Sequence, residues 1–286
     1  NIVSVIGDGS LSGGLAMEAL NNAGDFKGNL IILVNDNQMS IAENHGGLYR
    51  NLAELRATNG QAENNFFKTF GLDYKYLENG NDIESLIHLF EEVKDIDHPI
   101  VLHIHTEKGR GYQPALENKE AFHWHMPFDL ETGQSKVIDS GKSYSSVMLD
   151  YMDKKVSEGL PLVAINAAIP GIFGLKQFAA KYPDRYIDAG IAEQFTITFG
   201  GAMAAAGARP IIFHNSTFVQ RAYDQFWHDL AINEEPAIVI VKGGVISGSD
   251  ETHQGSSAMT WISNIPNIKY LAPTSEEEFI SILDWA

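Results

Sequence analysis

The sequence predicts an α/β protein of two units, each a mainly parallel sheet flanked by helices. Three observations carry this. Short runs rich in Val and Ile recur along the 286 residues, helical patterns stand between them, and one polar stretch interrupts the alternation. Strands that alternate with helices feed a parallel sheet covered on both faces. Ligands of such sheets bind beyond the carboxyl ends of the strands.

The first apolar run, residues 2–6, leads straight into the turn Gly7-Asp8-Gly9. Leu15, Ala16, Ala19, Leu20 and Ala23 then share one helical face. The run at 30–34 ends in Asn35-Asp-Asn37. Ile83, Leu86, Ile87, Phe90 and Val93 share a second helical face ahead of the run at 99–105. Asp129-Leu-Glu-Thr-Gly-Gln-Ser-Lys136 is polar, holds turn residues and has no apolar period, so it reads as a linker. The expected organisation is a first unit at 1–125, a linker at 126–158 with a helix near 144–156, and a second unit at 159–286. Runs at 162–167, 186–189, 210–213 and 236–241 supply strands to that second unit. The chain opens in a core strand and stops within a helical pattern, so it is expected to be part of something larger.

A formal charge of −17 argues against nucleic acid or an anionic membrane as partner. A phosphate-bearing ligand must then be held by local donors or a metal. The absence of Cys excludes disulfides and thiolate chemistry. No apolar run is long enough to span a membrane as a helix, and no signal peptide is apparent. A cytoplasmic location is the expectation.

Gly7-Asp8-Gly9 follows a strand and precedes a helix, so its glycines let backbone amides approach an anion. Asn35-Asp-Asn37 stands at another strand end. Mg²⁺ takes about six oxygens in octahedral order, a few from protein and the rest from phosphate and water. Asp8, Asn37 and the Met39 carbonyl can supply the protein's share. Two unrelated turns would show the same residues.

The two pieces together resemble the thiamine-diphosphate motif. Gly7-Asp-Gly-Ser-Leu-Ser-Gly-Gly14, Asn35-Asp-Asn-Gln-Met-Ser-Ile41, Glu107-Lys-Gly-Arg-Gly-Tyr112 and Phe122-His123 are similar to the 1-deoxy-D-xylulose-5-phosphate synthase family. So are Gly190-Ile-Ala-Glu-Gln194, Ser216-Thr-Phe-Val-Gln-Arg221 and Thr252-His-Gln-Gly255. The resemblance covers nearly the whole chain. It implies two thiamine-diphosphate-binding-fold units with the active site between them, and a further C-terminal domain outside this sequence. It also implies thiamine diphosphate and Mg²⁺ as cofactors, pyruvate and an aldehyde phosphate as substrates, and a homodimer.

Site roles follow from the same resemblance. Gly7, Asp8, Gly9, Asn37, Met39 and Lys108 would hold diphosphate and metal. Glu193 would hydrogen-bond the aminopyrimidine, a task that suits a carboxylic acid in a dry pocket, although a helix-start Glu stabilising the macrodipole looks the same. Phe218 would stack on the pyrimidine. His123 and His253 would serve proton transfer, and Arg221, Lys242 and Asp250 would meet substrate. His103 and His105 alternate on a strand and read as structural.

Four positions depart from the family pattern. Phe195 stands for His, Asn215 for Tyr and Lys242 for Arg, and Asp250 or Ser249 takes the place of the family Asp. Several of these positions bind the acceptor in the family, so the acceptor is what the departures put in question. The expected reaction is decarboxylation of pyruvate followed by ligation to D-glyceraldehyde 3-phosphate. Transketolase-like ketol transfer and a catalytically silent cofactor-binding paralogue are the alternatives.

Overall fold

The computed structural model describes residues 2–137, 141–244 and 251–286. The chain divides into two compact units, residues 1–138 and 139–286.

The first unit runs β1 (Ile2–Gly7), α1 (Gly14–Ala23), β2 (Leu30–Asp36), α2 (Gly47–Ala57), β3 (Asp73–Leu77), α3 (Ile83–Val93), β4 (Pro99–His105) and α4 (Gln113–Glu117). Its strands are all parallel, in the order β1-β2-β4-β3. Leu20, Leu52, Leu55 and Phe67 pack on Val34 and Val101 on one face, while Leu89 and Val93 pack on Ile31 and Leu102 on the other. Gly7 pairs with Asn35, and Asp36 with His105. The turns after β1, β2 and β4 therefore open at the carboxyl end of the sheet.

Two helical faces are turned from the expected ones. α1 buries Leu20 and Ala23 but leaves Leu15 exposed, and α3 buries Leu89 and Val93 while Ile83 and Ile87 face outward. β3, Asp73-Tyr-Lys-Tyr-Leu77, was not among the expected strands. It is an edge strand, where charge is tolerated and blunts unwanted pairing.

The segment after Met126 packs onto the first unit. Phe128 bridges to Ser135, the Tyr112 hydroxyl donates to the Leu130 carbonyl at 3.0 Å, and the Phe122 and Phe128 rings meet edge to face at 5.2 Å. The expected helix is α5 (Tyr144–Ser157), which belongs to the second unit. Ser143 and Ser146 close a reciprocal cap at its start.

The second unit continues with β5 (Leu162–Asn166), α6 (Pro170–Phe173), α7 (Leu175–Lys181), β6 (Tyr186–Asp188), α8 (Glu193–Ala205), β7 (Arg209–Asn215), α9 (Ser216–Val219), α10 (Tyr223–Gln225), β8 (Ile238–Lys242), α11 (Ala258–Ile262) and α12 (Glu276–Trp285). Its parallel strands follow the order β6-β5-β7-β8. Ile165 and Ile212 pack on Ile197 of α8 and on Phe226. On the other side of β7, Phe213 meets Phe173 at 5.1 Å. Among the described residues, no helix is long and apolar enough to cross a membrane.

Candidate functional site

In the first unit, Gly7 ends β1 and Asp8 is carried into the interior, 1% exposed. Gly9 touches the turn that follows β2. A Cβ on Gly9 would lie 2.6 Å from Ser40 Cβ and 2.9 Å from Ser40 Cα, so only glycine lets the two turns meet. The β2 turn is built from successive side-chain-to-backbone hydrogen bonds. Asp36 Oδ1 accepts from the Gln38 amide at 3.1 Å, and Asn37 Oδ1 accepts from the Met39 amide at 3.1 Å. Gln38 between them has φ +68°, a left-handed conformation that costs a side-chain-bearing residue energy. Asp8, Asn37 and Met39 line one cavity of about 560 Å³ with Asp36, Tyr49 and Arg56.

The local electrostatics are dominated by two carboxyls. Asn44 Nδ2 donates to Asp8 Oδ2 at 2.9 Å, and the Asp36 carboxyl adjoins Asp8. Burial, then the adjoining Asp36 carboxyl, pushes the Asp8 pKa up. Asp36 goes the other way. Against the cost of burial, the His103 hydrogen bond and the Arg56 guanidinium hold it below the usual carboxylate range.

Lys108 and His123 arrive at the same turn from beyond β4. Lys108 Nζ donates to the Ser40 carbonyl at 2.6 Å and lies 3.1 Å from His123 Nδ1. Desolvation, then the Lys108 ammonium, lowers the His123 pKa. The structure thus brings together Asp8, Gly9, Asn37, Met39, Lys108 and His123. Asn44, Arg56, Tyr49 and Asp36 were missed. Asp36 was in view within Asn35-Asp-Asn37, but only as a spacer between amides. His105, expected to be structural, lies 2.9 Å from Glu78 Oε1 through Nδ1 and 3.3 Å from Gln38 Nε2 through Nε2.

The donor set fits a hard divalent cation. It combines one carboxylate, an amide oxygen and a main-chain carbonyl at a glycine-permitted close approach, which leaves room for phosphate oxygens and water.

In the second unit, Glu193 is the first residue of α8 and is 4% exposed. Burial raises its pKa, and Arg221 opposes this, with Nη1 3.2 Å from Glu193 Oε2. Thr196 Oγ1 donates to the Glu193 carbonyl at 2.7 Å and lies 2.8 Å from His214 Nε2. Phe218 of α9 meets the His253 ring edge to face at 5.3 Å. Glu193 and Arg221 are therefore one pair, and Phe218 and His253 another.

The departing positions are occupied locally. Asn215 Oδ1 accepts from the Thr217 amide at 3.0 Å and so caps α9. Lys242, beside Asn215 in the sheet, donates to the Ile172 carbonyl at 2.8 Å and lies over the Phe173 ring. Phe195 is exposed and stacks on Phe199 at 5.2 Å. Asp250 and Ser249 lie outside the described residues.

Comparison with known proteins adds to this geometry. The family model described as 1-deoxy-D-xylulose-5-phosphate synthase matches residues 1–65. The chain is 36% identical to 1-deoxy-D-xylulose-5-phosphate synthase 1 of Geobacter sulfurreducens over 323 aligned positions, covering 100% of this chain and 51% of that protein. It is 37% identical to the synthase of Clostridium beijerinckii, covering 100% and 52%. The chain spans about half the length of the curated relatives it matches. Among solved structures, a transketolase from Campylobacter jejuni aligns with 99% of this chain and 54% of its own, at 15% identity and a TM-score of 0.43. The family model for the transketolase pyrimidine binding domain matches residues 140–286, more than half of the sequence, and the chain therefore belongs to that family.

Proposed function

We propose that the chain carries the cofactor-binding units of a thiamine-diphosphate- and Mg²⁺-dependent transferase that makes 1-deoxy-D-xylulose 5-phosphate from pyruvate and D-glyceraldehyde 3-phosphate. The observation that carries this is the buried Asp8 packed against the turn of Asn37 and Met39, in a chain 36% identical to a protein named for that activity.

When bound, thiamine diphosphate supplies an electron sink for negative charge developed beside a carbonyl. Asp8, Asn37 and the Met39 carbonyl hold the cation, Gly9 keeps the backbone clear for the diphosphate, and Lys108 adds positive charge beside it. Glu193, whose buried carboxyl binds a proton more readily than usual, hydrogen-bonds the pyrimidine, and Phe218 offers it a flat apolar face. His123 and His253 exchange protons with substrate oxygens, and Arg221, Lys242 and Asp250 face the acceptor side. A homodimer in the cytoplasm completes the proposal on family resemblance.

A second reading concerns the acceptor alone. Asn215 serves as a helix cap and Lys242 holds a main-chain carbonyl, which favours an aldehyde other than the family's, or ketol transfer from a sugar phosphate. Mass analysis of products from pyruvate with a panel of aldehydes decides. CO₂ release with one new ketose identifies the synthase and its acceptor. Ketose formation from a sugar phosphate without CO₂ identifies ketol transfer. Absence of both rejects catalysis.

A further inference from the structure

Behind the candidate cation site lies a buried polar network outside the roles assigned above. Asp36 and His103 are both 0% exposed. Asp36 Oδ2 accepts from His103 Nε2 at 2.8 Å and from the Arg56 guanidinium, while Oδ1 accepts from the Gln38 amide. The other ring nitrogen, His103 Nδ1, lies 2.8 Å from the Tyr74 hydroxyl. One carboxylate at the end of β2 is thus braced from β4, from α2 and, through His103, from β3. Burying an ion in this way is costly, and an apolar side chain would join β2 to β4 without that cost. What an apolar residue would not do is accept from the Gln38 amide, as Asp36 Oδ1 does at 3.1 Å within the turn that carries Asn37 and Met39.

We infer that Asp36, braced by His103 and Arg56, is a positioning residue that holds the turn of Asn37 and Met39 in place for the cation. It fixes the backbone of that turn, and with it the Asn37 amide and the Met39 carbonyl, as outer partners of metal ligands do. The inference rests on Asp8, Asn37 and Met39 being the cation's ligands, as proposed above. Arg56 is 20 residues and His103 67 residues from Asp36, so the brace forms only when the sheet and α2 are assembled.

The test is calorimetric titration of Mg²⁺ at saturating thiamine diphosphate, with the melting midpoint of the metal-free protein recorded for each variant. Asp8→Ala should abolish cation-dependent binding. Asp36→Asn and His103→Leu should weaken Mg²⁺ by about 10–100-fold, the usual loss for an outer partner. His103→Gln, whose amide can still donate to Asp36, should recover most of that loss. Near-normal Mg²⁺ affinity in both Asp36→Asn and His103→Leu, with Asp8→Ala inactive in binding, overturns the inference and leaves the site intact. Equal losses in the Gln and Leu variants, tracking their melting midpoints, make the network structural and also overturn it. Normal Mg²⁺ binding by Asp8→Ala removes the site itself and the inference with it. Asp36→Asn and His103→Gln are nearly isosteric, so the comparison survives if His103→Leu does not fold.

Discussion

Arg221 sets Nη1 3.2 Å from Glu193 Oε2, joining the turn after α9 to the first residue of α8. The two ends of this pair differ. The Glu193 side chain is 6% exposed and that of Arg221 is 33%. Burial drives the Glu193 pKa above its ordinary 4.5 and Arg221 pulls it back, so the guanidinium limits how strongly the carboxyl holds its proton before any ligand arrives.

Removing that guanidinium should have a pH-dependent cost. A carboxyl whose folded pKa is raised favours the folded state fully below its unfolded pKa and loses that advantage as pH climbs through the folded one. Arg221→Met leaves burial unopposed and raises the folded pKa further. It should cost about 1–2 kcal/mol at pH 8, the low end for a charged hydrogen bond because Arg221 is part-exposed, and much less at pH 5. Urea midpoints at the two pH values measure this. Glu193→Gln in the same background should abolish the pH dependence, and a loss equal at pH 5 and pH 8 would remove the charge argument.

Gly9→Ala should disturb the two turns together. The new Cβ would meet Ser40 backbone and side chain at 2.9 and 2.6 Å, and the Ser40 turn also carries Met39. Overpacking of this kind costs about 1–3 kcal/mol. If the turns hold a cation between them, Mg²⁺-dependent thiamine-diphosphate binding should fall by more than the stability loss alone explains. Calorimetry at a temperature where the variant is fully folded separates the two. Unchanged affinity would mean that the Gly9–Ser40 contact only shapes the fold.

Much of this arrangement is legible in the sequence, and what is not has a physical reason. The strand ends carrying Asp8 and Asn37 could be read because a Val/Ile run followed by turn residues is a local signal. Glu193 could be read because it stands in a nearly uncharged stretch. Asp36 could not, because its meaning depends on Arg56 and His103, whose approach has no period. β3 escaped because Tyr74 and Tyr76 alternate with charges on a short edge strand. Ile83 and Ile87 misled because spacing gives a helical face but not which side the sheet covers.

His214 should make the second unit acid-sensitive. It is buried on β7, its Nε2 lies near Thr196, and its Nδ1 has no hydrogen-bond partner. Burial holds its pKa down at about 3 from an ordinary 6.5. Below pH 6.5 the unfolded chain takes up a proton that the folded chain refuses. Stability should therefore fall as pH drops from 6.5 toward 3, by up to about 1.4 kcal/mol per pH unit from this group. His214→Gln removes the titrating ring while keeping a polar contact for Thr196. Its denaturation midpoint should vary less between pH 6.5 and 4.5 than that of the parent. Parallel curves would mean that other groups set the acid limb.

Lys242 offers the clearest separation of acceptor binding from cofactor chemistry. Its ammonium donates to the Ile172 carbonyl at 2.8 Å, yet the residue remains exposed at the end of β8 beside Asn215. A single backbone carbonyl leaves two of its three N–H groups to meet a phosphate. Under the proposed function, Lys242→Ala should raise the KM for a phosphorylated aldehyde about 10-fold or more, as loss of a charged hydrogen bond of about 1.5–3 kcal/mol requires. CO₂ release from pyruvate without aldehyde should stay at the parental rate, because the proposed function gives Lys242 to the acceptor and not to the cofactor. Unphosphorylated aldehydes should be used equally by variant and parent. Lys242→Arg should restore the KM, since a guanidinium supplies the charge with more donors. An equal loss for phosphorylated and unphosphorylated acceptors would assign Lys242 to holding α6 through Ile172, and an unchanged KM throughout would remove it from the acceptor side.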